Sequence, residues 1–242
     1  MVADRALVAA LRDALAAQAR PERAPAMQAY MKSTLPFWGI DAPTRRRTVA
    51  AVAAQHPLAE AQALRDTVLA MWRGARHREE RYAALDLLRL PRLRPLIDLQ
   101  LLPVLHELIE SGAWWDHNDD ISGFALPLLL QAHPAALKPV LRQWARSDSL
   151  WLRRAAILCQ RGVKNGFDAV LLYDCILPSI GDAPLASEFF IRKGIGWALR
   201  QRSYAAAAEV QAFCDAYGPQ LSALTRREAL RAVSRRAAGV KT

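Results

Sequence analysis

The stretch WWDHNDD, Trp114 to Asp120, puts two indoles and three carboxylates into seven residues. Carboxylates beside aromatic faces suit the stabilisation of a cation. An ionised carboxylate attracts positive charge that develops in a partly dry site, and an indole face adds a cation–π term of about 0.5–2 kcal/mol. One reaction on DNA develops such a charge: breaking the bond between a purine and its deoxyribose leaves oxocarbenium character on the sugar. A base that is already alkylated and cationic departs as a neutral molecule, so no strong general acid is required. A single aspartate that steadies the sugar cation and orients water is then sufficient.

The same residues have a plainer reading. Asp116, with Asp119 three residues later, offers acceptors to exposed N–H groups in a capping-box-like pattern at a helix start. Tryptophans at helical spacing more often fill cores, and Trp38, Trp72, Trp114, Trp144 and Trp151 are assigned to packing. Trp115 and Trp197 are kept as site candidates. Other catalytic patterns are missing: HELIE at 106–110 has Glu110 where HExxH needs its second histidine, and the five histidines form no metal-ligand spacing. GxGxxG, Walker and GxSxG motifs are absent too.

These residues sit in a basic chain, with 33 Lys+Arg against 23 Asp+Glu and a formal net charge of +10. That balance points to an anionic partner, most simply DNA or RNA, although an arginine-preferring GC-rich genome produces the same bias. Hydrophobic residues make up 52% of 242, glycine numbers 11, and alternating Val/Ile/Thr runs are scarce, so the fold class read from composition is all-α. Cys159, Cys175 and Cys214 are odd in number, far apart and in no CxxC spacing, which argues for core packing in a reducing compartment. No apolar run approaches the ~20 residues of a membrane span, and the N-terminal MVADRALVAALRDALAAQ is amphipathic rather than signal-like. A cytoplasmic protein, nucleoid-associated in a bacterium and without membrane contact, is expected.

The elements that must position the site are marked by short breaks, among them GIDAP at 39–43, RGARH at 73–77, GA at 112–113, AHP at 132–134, RSDS at 146–149, KNG at 164–166, GDAP at 181–184 and YGP at 217–219. Their spacing predicts helices of roughly 12–18 residues. After certain breaks a basic step is followed by small and then large apolar residues, anchored at Arg81, Arg153, Arg192 and Arg226, which are 72, 39 and 34 residues apart. A period of about 36 residues signals a solenoid of helix pairs, each burying its apolar face against the next. The skipped unit falls at His117, where RRAA is replaced by HNDD. One acidic notch edged by indoles is thereby expected in a basic wall.

The blocks AMQAYMKSTLPFWGIDAPTRR (26–46), SGAWWDHNDDIS (111–122), SDSLWLRRAAILCQ (147–160), SEFFIRKGIGWALR (187–200) and LTRREALR (224–231) together resemble the DNA alkylation repair family of AlkD-like glycosylases. The resemblance implies a curved solenoid of stacked HEAT-like helix pairs forming a single domain over 1–242, with a concave basic surface for duplex DNA. It also implies a monomeric enzyme of base excision repair that acts on double-stranded DNA containing alkylated bases. Cationic alkylpurines such as 3-methyladenine and 7-methylguanine would be excised, with no metal or organic cofactor.

Carried over by position, the resemblance makes Asp119 the catalytic carboxylate, Trp115 and Trp197 aromatic walls, and Asp116 structural. It makes Arg154 a phosphate-binding arginine with a forked contact, and Arg200 another backbone contact. Tyr30, Arg46, Lys193 and Arg227 complete the expected DNA-binding set. At the N-terminal end, Asp41 and Ala42 stand where neutral hydrogen-bonding side chains are expected, and an acid facing phosphate weakens such a contact. For Arg153 and Arg154 a solvated helix face is the plain alternative. A non-catalytic helical-repeat module that binds distorted or branched nucleic acid, or protein partners, is the alternative function.

Overall fold

The computed structural model describes residues 3–163 and 165–237, so Lys164, which opens the KNG break, lies outside the described residues. All regular structure among the described residues is helical, as the composition requires. The chain divides into two compact units, the first ending at Leu108 and the second beginning at Ile109. That division falls inside one helix.

The first unit holds α1 (Arg5–Ala16), α2 (Ala24–Met31), α3 (Ala42–Gln55), α4 (Ala61–Arg73), α5 (Arg78–Arg89), two 3₁₀ turns and the start of α6 (Leu102–Gly112). Leu7, Leu11 and Leu15 recur every four residues and are fully buried on one face of α1, which packs on α3 and α4. The loop before α3 is tied down by the buried Glu79, which accepts the N–H groups of Trp38, Gly39 and Ile40 at 3.1, 2.9 and 3.1 Å. Gly39 has φ +86°, and a Cβ there would lie 2.1 Å from the Arg20 carbonyl, so this turn needs glycine twice over. Asp41 is the N-cap of α3: its carboxylate accepts the Thr44 N–H at 2.8 Å and meets Arg23 at 3.2 Å. The hydrogen bonds from Thr44 hold its carboxyl below the usual range.

The second unit contains α7 (Trp115–Asp120), a π-helical turn (Ile121–Ala125), α8 (Leu126–Ala132), α9 (Pro134–Trp144), α10 (Leu150–Leu158), α11 (Ala169–Ile176), α12 (Phe189–Ser203), α13 (Ala207–Ala216) and α14 (Ala223–Ala237). α7 packs on α10, α10 on α12 and α12 on α14, forming one row. α9 packs on α11, and Tyr173 of α11 stacks on Phe213 of α13 at 4.6 Å, forming a second. The repeat read from the arginine anchors is therefore a structural one in this unit: His117, Arg153, Arg192 and Arg226 lie on successive helices of the first row. Hydrogen bonds between those helices carry the same period, joining Asn118 to the Trp151 carbonyl, Thr225 to the Arg192 carbonyl and Lys193 to Glu228.

The expected breaks coincide with helix ends, and two have identifiable chemistry. The Ser149 hydroxyl caps α10 by accepting the Leu152 N–H at 3.3 Å, and Asp168 caps α11 by accepting the Leu171 N–H at 3.0 Å. Helices are shorter than anticipated, because many repeat units give their last turn to a cap or 3₁₀ segment. α7 is only six residues long, yet it runs through the π turn into α8 without a break.

α12 and α14 approach closely at Gly196. A Cβ there would lie 2.6 Å from the Glu228 Cβ and 3.1 Å from the Thr225 carbonyl. Alanine would gain about 1 kcal/mol in helix propensity, but overpacking costs about 1–3 kcal/mol. Gly196→Ala is therefore expected to lower stability by up to about 2 kcal/mol, seen as a lower midpoint in urea unfolding followed by circular dichroism. A raised midpoint would mean that propensity outweighs the crossing.

Candidate functional site

Asp119 lies in the last turn of α7, and its carboxylate is gripped from the neighbouring helix of the row. Arg154 of α10 donates through Nε to Oδ1 and through Nη2 to Oδ2, both at 2.9 Å, in the forked geometry that guanidinium and carboxylate share. The third nitrogen, Nη1, donates to the carbonyl of Phe190 in the first turn of α12. The Arg154 side chain is 5% exposed and that of Asp119 13%, so the carboxylate retains a small opening to solvent while the guanidinium has almost none. Gly194 of α12 leaves room for this arginine: a Cβ there would sit 3.1 Å from Nη1. The forked contact anticipated between Arg154 and phosphate is thus made to Asp119 instead, and all three Arg154 nitrogens are engaged within the protein.

A second arginine reaches the same residue by its backbone. Arg161, in the turn after α10, donates from Nη2 to the Asp119 carbonyl at 2.5 Å. Its guanidinium carbon lies 4.1 Å from the centroid of the Trp197 ring, so it also covers one face of an anticipated aromatic wall. The carbonyl it meets lies two residues before the π turn, in which the Leu126 N–H reaches the Ile121 carbonyl five residues back. Asp119 and Trp197 are thereby connected through Arg161, a residue that motif reading missed.

Trp115, half-buried, opens α7 one turn before Asp119. The helix start is Trp114, which forms no side-chain cap, and Asp116 lies inside the first turn, so the capping-box reading of Asp116 does not describe this end. Of the tryptophans assigned to packing, Trp72 and Trp144 are buried. Trp38, Trp114 and Trp151 are only partly covered, and Trp38 stacks on His77 at 4.1 Å. Trp114 and Trp151 form a cluster with Phe190, whose ring lies 5.5 and 5.2 Å from theirs. Phe189 extends this cluster to the surface with half its area exposed.

The expected DNA-binding cations divide by environment. Arg153 is not on a solvated face: it is buried, donates to the Pro178 carbonyl at 2.6 Å and to the Pro184 carbonyl at 3.2 Å, and staples the loop before α12. Burial pushes its pKa below the usual arginine value, against the opposing charge of Asp148. Lys193 and Arg200 of α12 both pair with Glu228 of α14, Lys193 at 3.0 Å. Arg227 of α14 is exposed. In the first unit Tyr30 is exposed, and Arg46 is half-exposed with one long contact to Asp86 at 3.4 Å.

The comparisons agree on one family. A family described as DNA alkylation repair enzyme matches residues 11–233. Among solved structures, that of a predicted DNA alkylation repair enzyme from Enterococcus faecalis is similar over 88% of this chain and 95% of its own, with 27% identity and a TM-score of 0.73. No curated protein matches the chain. Among the described residues, no helix is long and apolar enough to cross a membrane.

Glu228 supplies a pH test of the ion pairs that flank the site. Burial opposes its ionisation, but the Lys193 hydrogen bond and the charges of Lys193 and Arg200 hold its carboxyl below the usual range. With a depressed folded-state pKa, its contribution is complete above the unfolded carboxylate value and is lost as pH falls through the folded one. Glu228→Gln is expected to lose about 1–3 kcal/mol at neutral pH. The deficit should shrink as pH is lowered through the carboxylate range, measured by denaturant unfolding at several pH values. A constant deficit would assign the effect to packing.

Proposed function

Because the chain belongs to the DNA alkylation repair enzyme family, we propose that it is a DNA glycosylase that hydrolyses the N-glycosidic bond of cationic alkylpurines in duplex DNA. The observation that carries this reading is the Asp119 side chain: oriented by Arg154, 13% exposed to solvent, and followed along the row of helices by Trp197. A carboxylate has about four acceptor positions and the Arg154 fork takes two, leaving capacity on both oxygens for water and for a sugar.

In the proposed reaction the bond between C1′ and the base nitrogen breaks, and its electron pair leaves with the base. This neutralises the charge that alkylation had placed on the ring, so no proton donor is needed. The positive charge passes to C1′ and the ring oxygen of the sugar, where Asp119 stabilises it electrostatically. Water held by the carboxylate adds to C1′ and gives up a proton to the Asp119 carboxylate, which passes it to solvent, leaving an abasic sugar. Trp115 and the face of Trp197 away from Arg161 contribute aromatic surface toward the cationic lesion.

Arg154 is assigned to aiming Asp119 rather than to phosphate, since each of its three nitrogens already donates within the protein and its side chain is only 5% exposed. Duplex contacts are assigned to the more open groups: Tyr30, Arg46, Arg227 and, beyond their pairing with Glu228, Lys193 and Arg200. 3-Methyladenine and 7-methylguanine are the substrates to assay first.

The test is base release from duplex DNA treated with a methylating agent, with the released purines quantified. Wild type should exceed the spontaneous rate. Asp119→Asn should lose about 10²-fold or more in single-turnover rate, because transition-state charge goes unmet, while its Kd for unmodified duplex stays within about threefold. Equal losses of rate and affinity would remove Asp119 from the chemistry, and no release by wild type would remove the activity.

A further inference from the structure

We propose that Arg161 is a positioning residue that locks Asp119 and Trp197 into one rigid unit, and that Gly123 is the gap through which it does so. The proposal rests on the glycosylase reading for its catalytic consequence, but its geometry stands apart from that reading.

Three observations carry it. Arg161 Nη2 donates to the Asp119 main-chain carbonyl at 2.5 Å. The same guanidinium lies over Trp197, its central carbon 4.1 Å from the ring centroid. A Cβ on Gly123, in the π turn, would come within 2.2 Å of Nη2 and 3.1 Å of the guanidinium carbon, so any larger residue there displaces Arg161. A planar group held between a carbonyl on one element and an indole on another fixes both.

The arrangement explains an otherwise unmotivated glycine. Gly123 does not have the positive φ that would require glycine for its backbone, and the interior of a helical rod disfavours the residue by about 1 kcal/mol. Arg161 accounts for its presence. The two arginines then act on different parts of one residue, Arg154 setting the direction of the Asp119 carboxylate and Arg161 the position of the backbone that bears it. The interior fit leaves Arg161 half-buried and turned away from the role of a free phosphate ligand.

The decisive comparison uses Arg161→Ala, Arg161→Lys and Gly123→Ala in the full chain. Gly123→Ala keeps every charge and displaces only the clamp, so it should copy Arg161→Ala. Both are expected to reduce single-turnover base release from methylated duplex by about tenfold to hundredfold, with Kd for unmodified duplex within about threefold. Arg161→Lys should be intermediate, since an ammonium still donates to the carbonyl but lacks the planar face. A phosphate contact would show the opposite split, with weaker binding, a smaller salt dependence and an unchanged rate, and would overturn the proposal; unchanged rate and binding would overturn it as well.

Two further readouts need no activity: amide hydrogen exchange of residues 119–125, and the emission of Trp197, identified by its loss in Trp197→Phe. Faster exchange and a shifted emission in both variants are expected. If wild type releases no base, the glycosylase reading falls, and these two measurements still decide the clamp. Unchanged exchange and emission would overturn it.

Discussion

A charged carboxylate is kept in a half-dry site only when another charge or several hydrogen bonds meet it, and here one guanidinium meets Asp119 at both oxygens. The surrounding structure is arranged to keep that guanidinium in place. Arg154 is itself almost fully buried, so its third nitrogen needs the Phe190 carbonyl, and its bulk needs the absence of a side chain at Gly194. Three successive helices of the row, α7, α10 and α12, are therefore joined at one residue. Loss of either charge would leave the other buried without compensation, so the pair ties the geometry of the candidate site to stability.

The charge of the chain is distributed less simply than its sum implies. A net +10 invites the picture of a uniformly basic surface, but several of the cations that sequence singled out already have partners within the protein. Arg153 binds loop carbonyls, Arg154 binds Asp119, and Lys193 and Arg200 share Glu228. Arg154, Lys193 and Arg200 brace helix against helix, and Arg153 braces α10 against the loop before α12. What remains for a polyanion is a smaller set, of which Arg46 and Arg227 are open examples in the two units. Affinity for DNA then depends on fewer contacts than the arginine count suggests, and so should its salt dependence.

Much of this architecture was legible from residue pattern. Breaks containing Gly, Pro, Ser and Asp fell at helix ends because those residues act locally, through caps and permitted dihedrals. The period of about 36 was legible in the second unit because equivalent helices must repeat the same contacts to stack. The site was legible as residues and not as bonds. WWDHNDD marked Asp119, and Arg154 was found, but its role as a partner of Asp119 depends on a distance across 35 residues that spacing does not encode. Arg161 belonged to no motif at all. Its only sequence trace is the pair of glycines, Gly123 and Gly194, that make space for two arginines, and a small residue says nothing about which large one enters the gap. The two arginines at 153 and 154 could not be told apart by type, since one step of helix phase separates a staple from a site residue.

In the proposed reaction, pairing Asp119 with Arg154 shortens the range of the field that a substrate meets. Take a guanidinium about 4 Å behind the carboxylate and an effective dielectric of about 20. A unit positive charge in contact at about 3 Å is then held by about 3 kcal/mol, and at about 6 Å by about 1 kcal/mol. A bare carboxylate would attract more strongly at both distances, about 5.5 and 2.8 kcal/mol, so its attraction falls only twofold over the same step. The ion pair thus gives up much of its pull on a charge still located on the base and keeps a larger share of its pull on charge that arrives at the adjacent sugar. Catalysis gains only from interactions that strengthen as the reaction proceeds. On this account the arginine lowers the differential pull from about 2.7 to about 2 kcal/mol in exchange for a fixed carboxylate direction, and recognition of the cationic base is left to the indoles.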